Sequence, residues 1–222
     1  MIYASWAAFH EGSTDSAYLE VLLPRLMETI VAQDGEGHTE IPTFPSVKLG
    51  TSGRGIEEVA SEICEARDAF EIVFIHADTG GRNLEANVGP RSSAYCDRAN
   101  ELCQWPPVRC VTIIPRHETE AWVLADPAAV LDALGYRGTA DEVGLPGTAR
   151  QAEQLRDPKA VLAAAMERVS GGRRRSAKVN QLLPAVAQRQ SIDALRGSSS
   201  FRDFEARLRD ALIDLRCIPA RN

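Results

Sequence analysis

The segment from Glu71 to His76 (EIVFIH) sets four large apolar residues side by side. That is the pattern of a strand covered on both faces, as in a parallel sheet sandwiched by helices. The flanking sequence supplies the rest of such a fold. Ile2 to Phe9 (IYASWAAF) reads as a first buried strand that runs into His10-Glu11-Gly12. In TDSAYLEVLLPRLMETIV, Tyr18, Leu22, Leu26 and Ile30 recur at helical spacing; Thr14 or Asp15 is available as a cap, and Pro24 should kink the helix or mark its start. Gln33 to Pro45 is rich in Gly, Pro, Thr and charge and reads as loop. A short strand at Pro45–Gly50, a turn (TSGRG), a helix from Ile56 to Phe70, a helix near Ser92 to Leu102 and a strand from Val108 to Ile114 complete the alternation.

Consecutive strands joined by helices predict an α/β fold with a parallel sheet, whose binding groups collect at the carboxyl ends of the strands. The strand signals stop after Glu118. Asp126-Pro127 and Asp157-Pro158 are helix starts with Pro at the first helical position, whereas Tyr136 to Arg156 is loop-like. Phe201, Phe204, Leu208, Leu212 and Leu215 form an apolar stripe on a last helix. The expectation is an α/β domain over 1–126 and a helical extension over 127–222 packed on it.

Charge divides at the same point. Through Asp126 there are 9 basic and 20 acidic residues, and after it 16 and 11. The acidic part suits cations and the basic part anions. Only three of the 25 basic residues are lysines; arginine is the better bidentate partner for phosphate, although genome composition produces the same bias. The start, MIYASWAAFHEG, does not read as a signal peptide, and the 222 residues contain no 18-residue apolar run. A cytoplasmic protein without a membrane partner is expected. None of the five cysteines are spaced C-x-x-C. Cys96, Cys103 and Cys110 read as small buried hydrophobes, the first two on one helix and the third opening the next strand.

Acidic side chains fall where strands should end: Glu11 after the first, Asp78 after EIVFIH, Glu118 and Glu120 after the last. If those strands are neighbours, their carboxylates form a hard oxygen site suited to Mg²⁺ or Mn²⁺ and phosphate chemistry.

Glu11-Gly12-Ser13-Thr14-Asp15 after a first strand, with an acidic motif closing a later one, resembles the Toprim domain of topoisomerases, primases and overcoming-lysogenization-defect nucleases. More closely, PRHETEAWVLAD (115–126), DPK (157–159) and SSSFRDF (198–204) resemble a bacterial Toprim-like family known as domain of unknown function 4276. The resemblance implies a Toprim/Rossmann-like sheet of about four mainly parallel strands. It further implies a divalent-metal-dependent nuclease, or nuclease subunit, that cleaves DNA or RNA in anti-phage defence, with an ABC/SMC-like ATPase as partner; a homo-oligomer is compatible. Glu11 would bind metal or act as general base, and Asp78 would ligate. His76 stands where such domains carry the first Asp of Asp-x-Asp. A neutral imidazole brings no negative charge and suits Mn²⁺ better than Mg²⁺, so either catalysis is lost or another carboxylate compensates.

Glu118 and Glu120 are the candidates for that compensation. Two positions apart on a helix means about 200° around it, so only one faces the site, and Glu120 is the favoured one. Arg116 is placed to neutralise charge on a phosphoryl group, and Arg82 to touch substrate from a glycine-rich loop. Arg173, Arg174, Arg175 and Lys178 form a basic stretch for a nucleic-acid backbone. The alternative reading, motivated by His76, is a catalytically silent Toprim-like module that regulates or binds a partner.

Overall fold

Ile72, Val73, Phe74 and Ile75 are all fully buried, because helices cover both faces of their sheet. The computed structural model describes residues 1–10, 12–49, 55–76, 89–171 and 176–220. The chain passes through β1 (Ile2–Tyr3), β2 (Trp6–Phe9), α1 (Ser13–Asp34), β3 (Thr39–Glu40) and β4 (Val47–Lys48). It continues through α2 (Ile56–Glu65), β5 (Ile72–His76), α3 (Gly89–Cys103) and β6 (Cys110–Ile113). The main sheet has four strands in the order β4-β2-β5-β6, all parallel. Trp6 pairs with Ile72 and Phe9 with Ile75, while Val73 pairs with Cys110 and His76 with Ile113.

Alternation along the strands feeds two cores. Trp6, Ala8, Ile72, Phe74, Val111 and Ile113 point into a large cluster shared with α1 and the later helices. Ala7, Phe9, Val73, Ile75 and Cys110 point into a smaller one under α2 and α3. From β2 the chain moves outward to β4 and then returns past β2 to β5. The reversal puts the crevice of the sheet at the carboxyl ends of β2 and β5, where open α/β sheets bind ligands.

Beyond the sheet come α4 (Glu120–Val123), α5 (Pro127–Leu134), α6 (Ala149–Glu153) and α7 (Pro158–Ser170). These are followed by α8 (Ser176–Arg189), α9 (Ile192–Leu195) and α10 (Ser199–Asp214). Asp126 and Asp157 cap α5 and α7, accepting hydrogen bonds from the backbone N–H of Ala129 (3.2 Å) and Ala160 (2.7 Å). Leu162, Leu183, Phe201, Phe204 and Leu208 belong to the same large cluster as the sheet residues, so the extension closes one face of the sheet.

The structure departs from the sequence reading in four places. The first strand is two pieces, and β1 leaves the main sheet to pair with β3, inside a segment expected to be loop. Helix α1 runs through Pro24 without restarting there, and its N-cap is Gly12 rather than Thr14 or Asp15. A short helix, α6, lies within the stretch read as loop. Four of the cysteines are cystines: Cys64–Cys103 joins α2 to α3, and Cys96–Cys110 joins α3 to β6, each with Cα atoms 5.7 Å apart. Cys96 and Cys103 do share a helix and Cys110 does open β6, but packing α3 between α2 and the sheet edge brings their sulfurs into bonding range. Cys217 is free and buried.

Candidate functional site

β2, β5 and β6 are adjacent, so the positions following them meet at one edge of the sheet. His10 directly follows β2 and is buried, and His76 ends β5 and is fully buried. Their ring centroids are 6.3 Å apart. His76 Nε2 lies 3.0 Å from Thr119 Oγ1, the tautomer deciding which group donates. That contact ties the end of β5 to the loop leaving β6. A metal taken through Nε2 would have to displace it.

The loop turns sharply at His117, whose φ is 69°, and the backbone N–H of Glu118 donates to the carbonyl of Arg116 at 3.1 Å. A non-glycine residue in this region is strained, and such strain persists where surrounding structure holds it. The turn delivers Glu118 and Glu120 to the start of α4. Glu120 is 4% exposed, and Glu118 is half-buried with Oε2 enclosed. Glu118 precedes this helix, whose N-cap is Thr119, so the expectation of two glutamates on one helix with a single one turned inward does not apply to them.

Burial pushes the Glu120 carboxyl above its ordinary range. The nearby charges of Asp15 and Glu118 push the same way, against its own backbone N–H and the ammonium of Lys159. Lys159 Nζ approaches Glu120 Oε1 to 3.8 Å. Asp15, in the first turn of α1, is 7% exposed. Buried Asp15 and Glu120 and half-buried Glu118 thus form an acidic pole, in which Asp15 reads from sequence as a possible cap and as the last residue of the Glu11–Asp15 motif.

Distant polar contacts hold the two sides of this pole in register. Tyr18, one turn after Asp15, donates through its hydroxyl to Gln190 Oε1 at 2.5 Å. Gln190 Nε2 in turn donates to the carbonyl of Trp122 at 2.6 Å, two residues past Glu120. Trp122 Nε1 donates to Ser200 Oγ at 2.9 Å, and its ring sits against Phe201 and Phe204 with centroids 5.2 and 5.5 Å away. The three segments PRHETEAWVLAD, DPK and SSSFRDF therefore meet here, through Glu120, Lys159 and Ser200 respectively. Trp122 is core packing at the same time, being fully buried.

Glu153 of α6 anchors the serine run. Its Oε1 accepts from Ser198 Oγ (2.6 Å), Ser200 N (2.8 Å) and Ser200 Oγ (2.7 Å), and its Oε2 from Ser199 N and Ser199 Oγ (both 2.9 Å). Burial alone would raise this carboxyl, but the hydrogen bonds from Ser198, Ser200 and Ser199 outweigh it and hold the group down at about 2.

Arg116 is exposed on the loop before His117. Glu11, Asp78, Arg82, Arg173, Arg174 and Arg175 lie outside the described residues, and Lys178 falls in the first turn of α8. Carboxylate oxygens are the donors a hard divalent cation takes, and a buried acidic pole with a raised carboxyl is an arrangement a cation relieves. Among the described residues, no group of three His, Cys, Asp or Glu side chains is placed to hold a metal ion. No helix among the described residues is long and apolar enough to cross a membrane. No protein-family profile, curated protein or solved structure matches the chain.

Proposed function

We propose that the chain is a Toprim-like, divalent-metal-dependent nuclease or nuclease subunit acting on DNA or RNA. The observation that carries this reading is the buried carboxylate of Glu120, set beside Asp15 and Glu118 at the carboxyl edge of a parallel sheet. Burying like charges together costs stability, and such sites are kept where the charge does chemistry. Glu11 and Asp78, with Glu120 and Glu118, are the residues of this reading that would hold Mg²⁺ or Mn²⁺. Bound there, the cation supplies charge neutralisation for the scissile phosphate. Lys159 fixes Glu120 by charge, His76 and Thr119 lock the loop to β5, and Arg116 stands where it can meet a phosphoryl oxygen. Glu11 is the general base of this reading. The ATPase partner and the defence role rest on the family resemblance alone.

Incubation of the purified chain with DNA and RNA in Mn²⁺ or Mg²⁺ tests the proposal. Cleavage is expected, with loss of at least about 100-fold in Glu120→Gln and in Glu11→Ala, the scale of a removed acid–base or ligand group. Glu120→Gln should melt no lower than wild type, since burial already favours the neutral side chain. Intact nucleic acid under all conditions, with Glu11→Ala behaving like wild type in cells, overturns it.

A second reading draws on His76, whose Nε2 is engaged with Thr119: a catalytically silent module that regulates a partner. Calorimetric titration with Mn²⁺ separates the two. The silent module shows no divalent binding that Asp78→Ala removes.

A further inference from the structure

Several arginines among the described residues are ion-paired. Arg109 reaches Glu71 (2.6 Å) and Asp214 (2.7 Å), and Arg189 reaches Asp132 (2.7 Å). Arg196 reaches Asp193 (2.8 Å) and Glu205 (2.7 Å), and Arg209 pairs with Glu205 (3.2 Å) and Asp34. Arg116, Arg150 and Arg202 are set apart by position. They come from the loop after β6, from α6 and from the first turn of α10, and they line one cleft of about 430 Å³. All three are exposed, and no carboxylate pairs with any of them among the described residues. Arg202 Nη1 donates to the carbonyl of Arg196 at 2.7 Å, which orients its side chain without neutralising it.

Glu153 also lines the cleft, together with Ser199, yet its charge is turned inward. Its two oxygens accept five hydrogen bonds from the Ser198–Ser200 turn, so it occupies the amino end of α10 itself. The helix end is therefore taken, and the groups left for an incoming anion are the three guanidinium forks. Guanidinium matches phosphate geometry in a bidentate way and is weakly hydrated.

We propose that this cleft is a phosphate subsite, in which Arg116, Arg150 and Arg202 grip the sugar-phosphate backbone of a nucleic-acid strand beside the acidic pole. The identity of the ligand rests on the function proposed above. Arg116, on the cleft wall, precedes Glu118 and Glu120 by two and four positions, which ties the cleft to the segment that carries the acidic pole. Among the described residues no aromatic side chain lines it, so the grip is on the backbone and independent of sequence. The extension thereby contributes two of the three contacts, one from α6 and one from α10.

The test is fluorescence anisotropy of labelled single-stranded and duplex 20-mers with the full chain in EDTA, which reads binding apart from cleavage, across a salt series. Each phosphate contact contributes a slope of about −0.7 to −0.9 in log affinity against log salt, or about 5- to 8-fold in affinity at 0.1 M salt. Arg150→Gln and Arg202→Gln should each lose that amount, and the double variant should lose about 25- to 60-fold with a slope shallower by about 1.4 to 1.8. Arg67→Gln removes the same charge beside α2, away from the cleft, and should leave the slope unchanged. Melting curves confirm that the exposed replacements fold. If wild type binds but the cleft variants match Arg67→Gln, the subsite is refuted and the nuclease reading survives. If the variants lose binding but no metal condition gives cleavage, the subsite stands and the nuclease reading falls. Wild type that binds neither DNA nor RNA overturns the subsite outright.

Discussion

Replacing Glu153 by Gln isolates the joint between α6 and α10. The side chain keeps its shape, but one acceptor oxygen becomes an NH₂ donor facing the N–H and O–H groups of Ser198, Ser199 and Ser200, which donate to the carboxylate at 2.6 to 2.9 Å. Whichever way the amide is turned, buried donors lose their acceptor. The magnitude follows from the carboxyl itself: its fall from 4.5 to about 2, at about 1.36 kcal/mol per pH unit, corresponds to at most about 3.4 kcal/mol. Screening at the cleft-facing edge reduces this to about 2 to 3 kcal/mol. Because the folded value is depressed, the contribution is complete above the ordinary range and disappears as pH falls from about 4.5 through about 2. At pH 3 less than half of it remains. Urea unfolding of wild type and Glu153→Gln at pH 7 and at pH 3 measures both quantities. A gap below about 0.5 kcal/mol at pH 7, or a gap equal at the two pH values, refutes the account.

Gln190→Ala strands the Tyr18 hydroxyl and the Trp122 carbonyl in the core and should cost about 2 to 4 kcal/mol in urea unfolding, with a weaker response of melting temperature to Mn²⁺ as Asp15 and Glu120 lose registration. Thiol titration of the oxidised chain in denaturant should find one reactive cysteine, Cys217, and five after reduction. Loop closure over separations of 14 and 39 residues predicts that reduction lowers unfolding free energy by about 3 and about 4 kcal/mol for the two cystines. Five reactive thiols before reduction would contradict the pairing. In a reducing cytosol the same four residues would be dithiols, so this titration on protein taken directly from cells also reports the compartment.

Sequence patterning made the sheet legible because buried parallel strands are locally apolar and their helices are amphipathic. Strand order was not legible, since local patterning leaves open which strands are neighbours, and the adjacency of β2, β5 and β6 comes from the structure; Asp126 and Asp157 announced their helices by local hydrogen bonding. What escaped depends on non-local packing. β1 and β3 are two-residue bridges joined through backbone alone, with no side-chain period to read. A spacing of seven places Cys96 and Cys103 on one helix but says nothing of which sulfur on α2 or β6 faces each. Asp15 looks the same in sequence whether it caps a helix or is buried where its charge reaches Glu120. Arg150 and Arg202 are 52 positions apart, and only the packing of α6 against α10 makes them neighbours.

The shared hydrophobic cluster has a consequence for inheritance. Trp6 and Phe74 on the sheet and Phe201, Phe204 and Leu208 on the last helix occupy one continuous interior, so a gene cut at Asp126 would yield a sheet with one greasy side open to water. Recombination can therefore not trade this α/β half onto another carrier as a free-standing cassette. Whatever the first 126 residues do, the remaining chain has to travel with them.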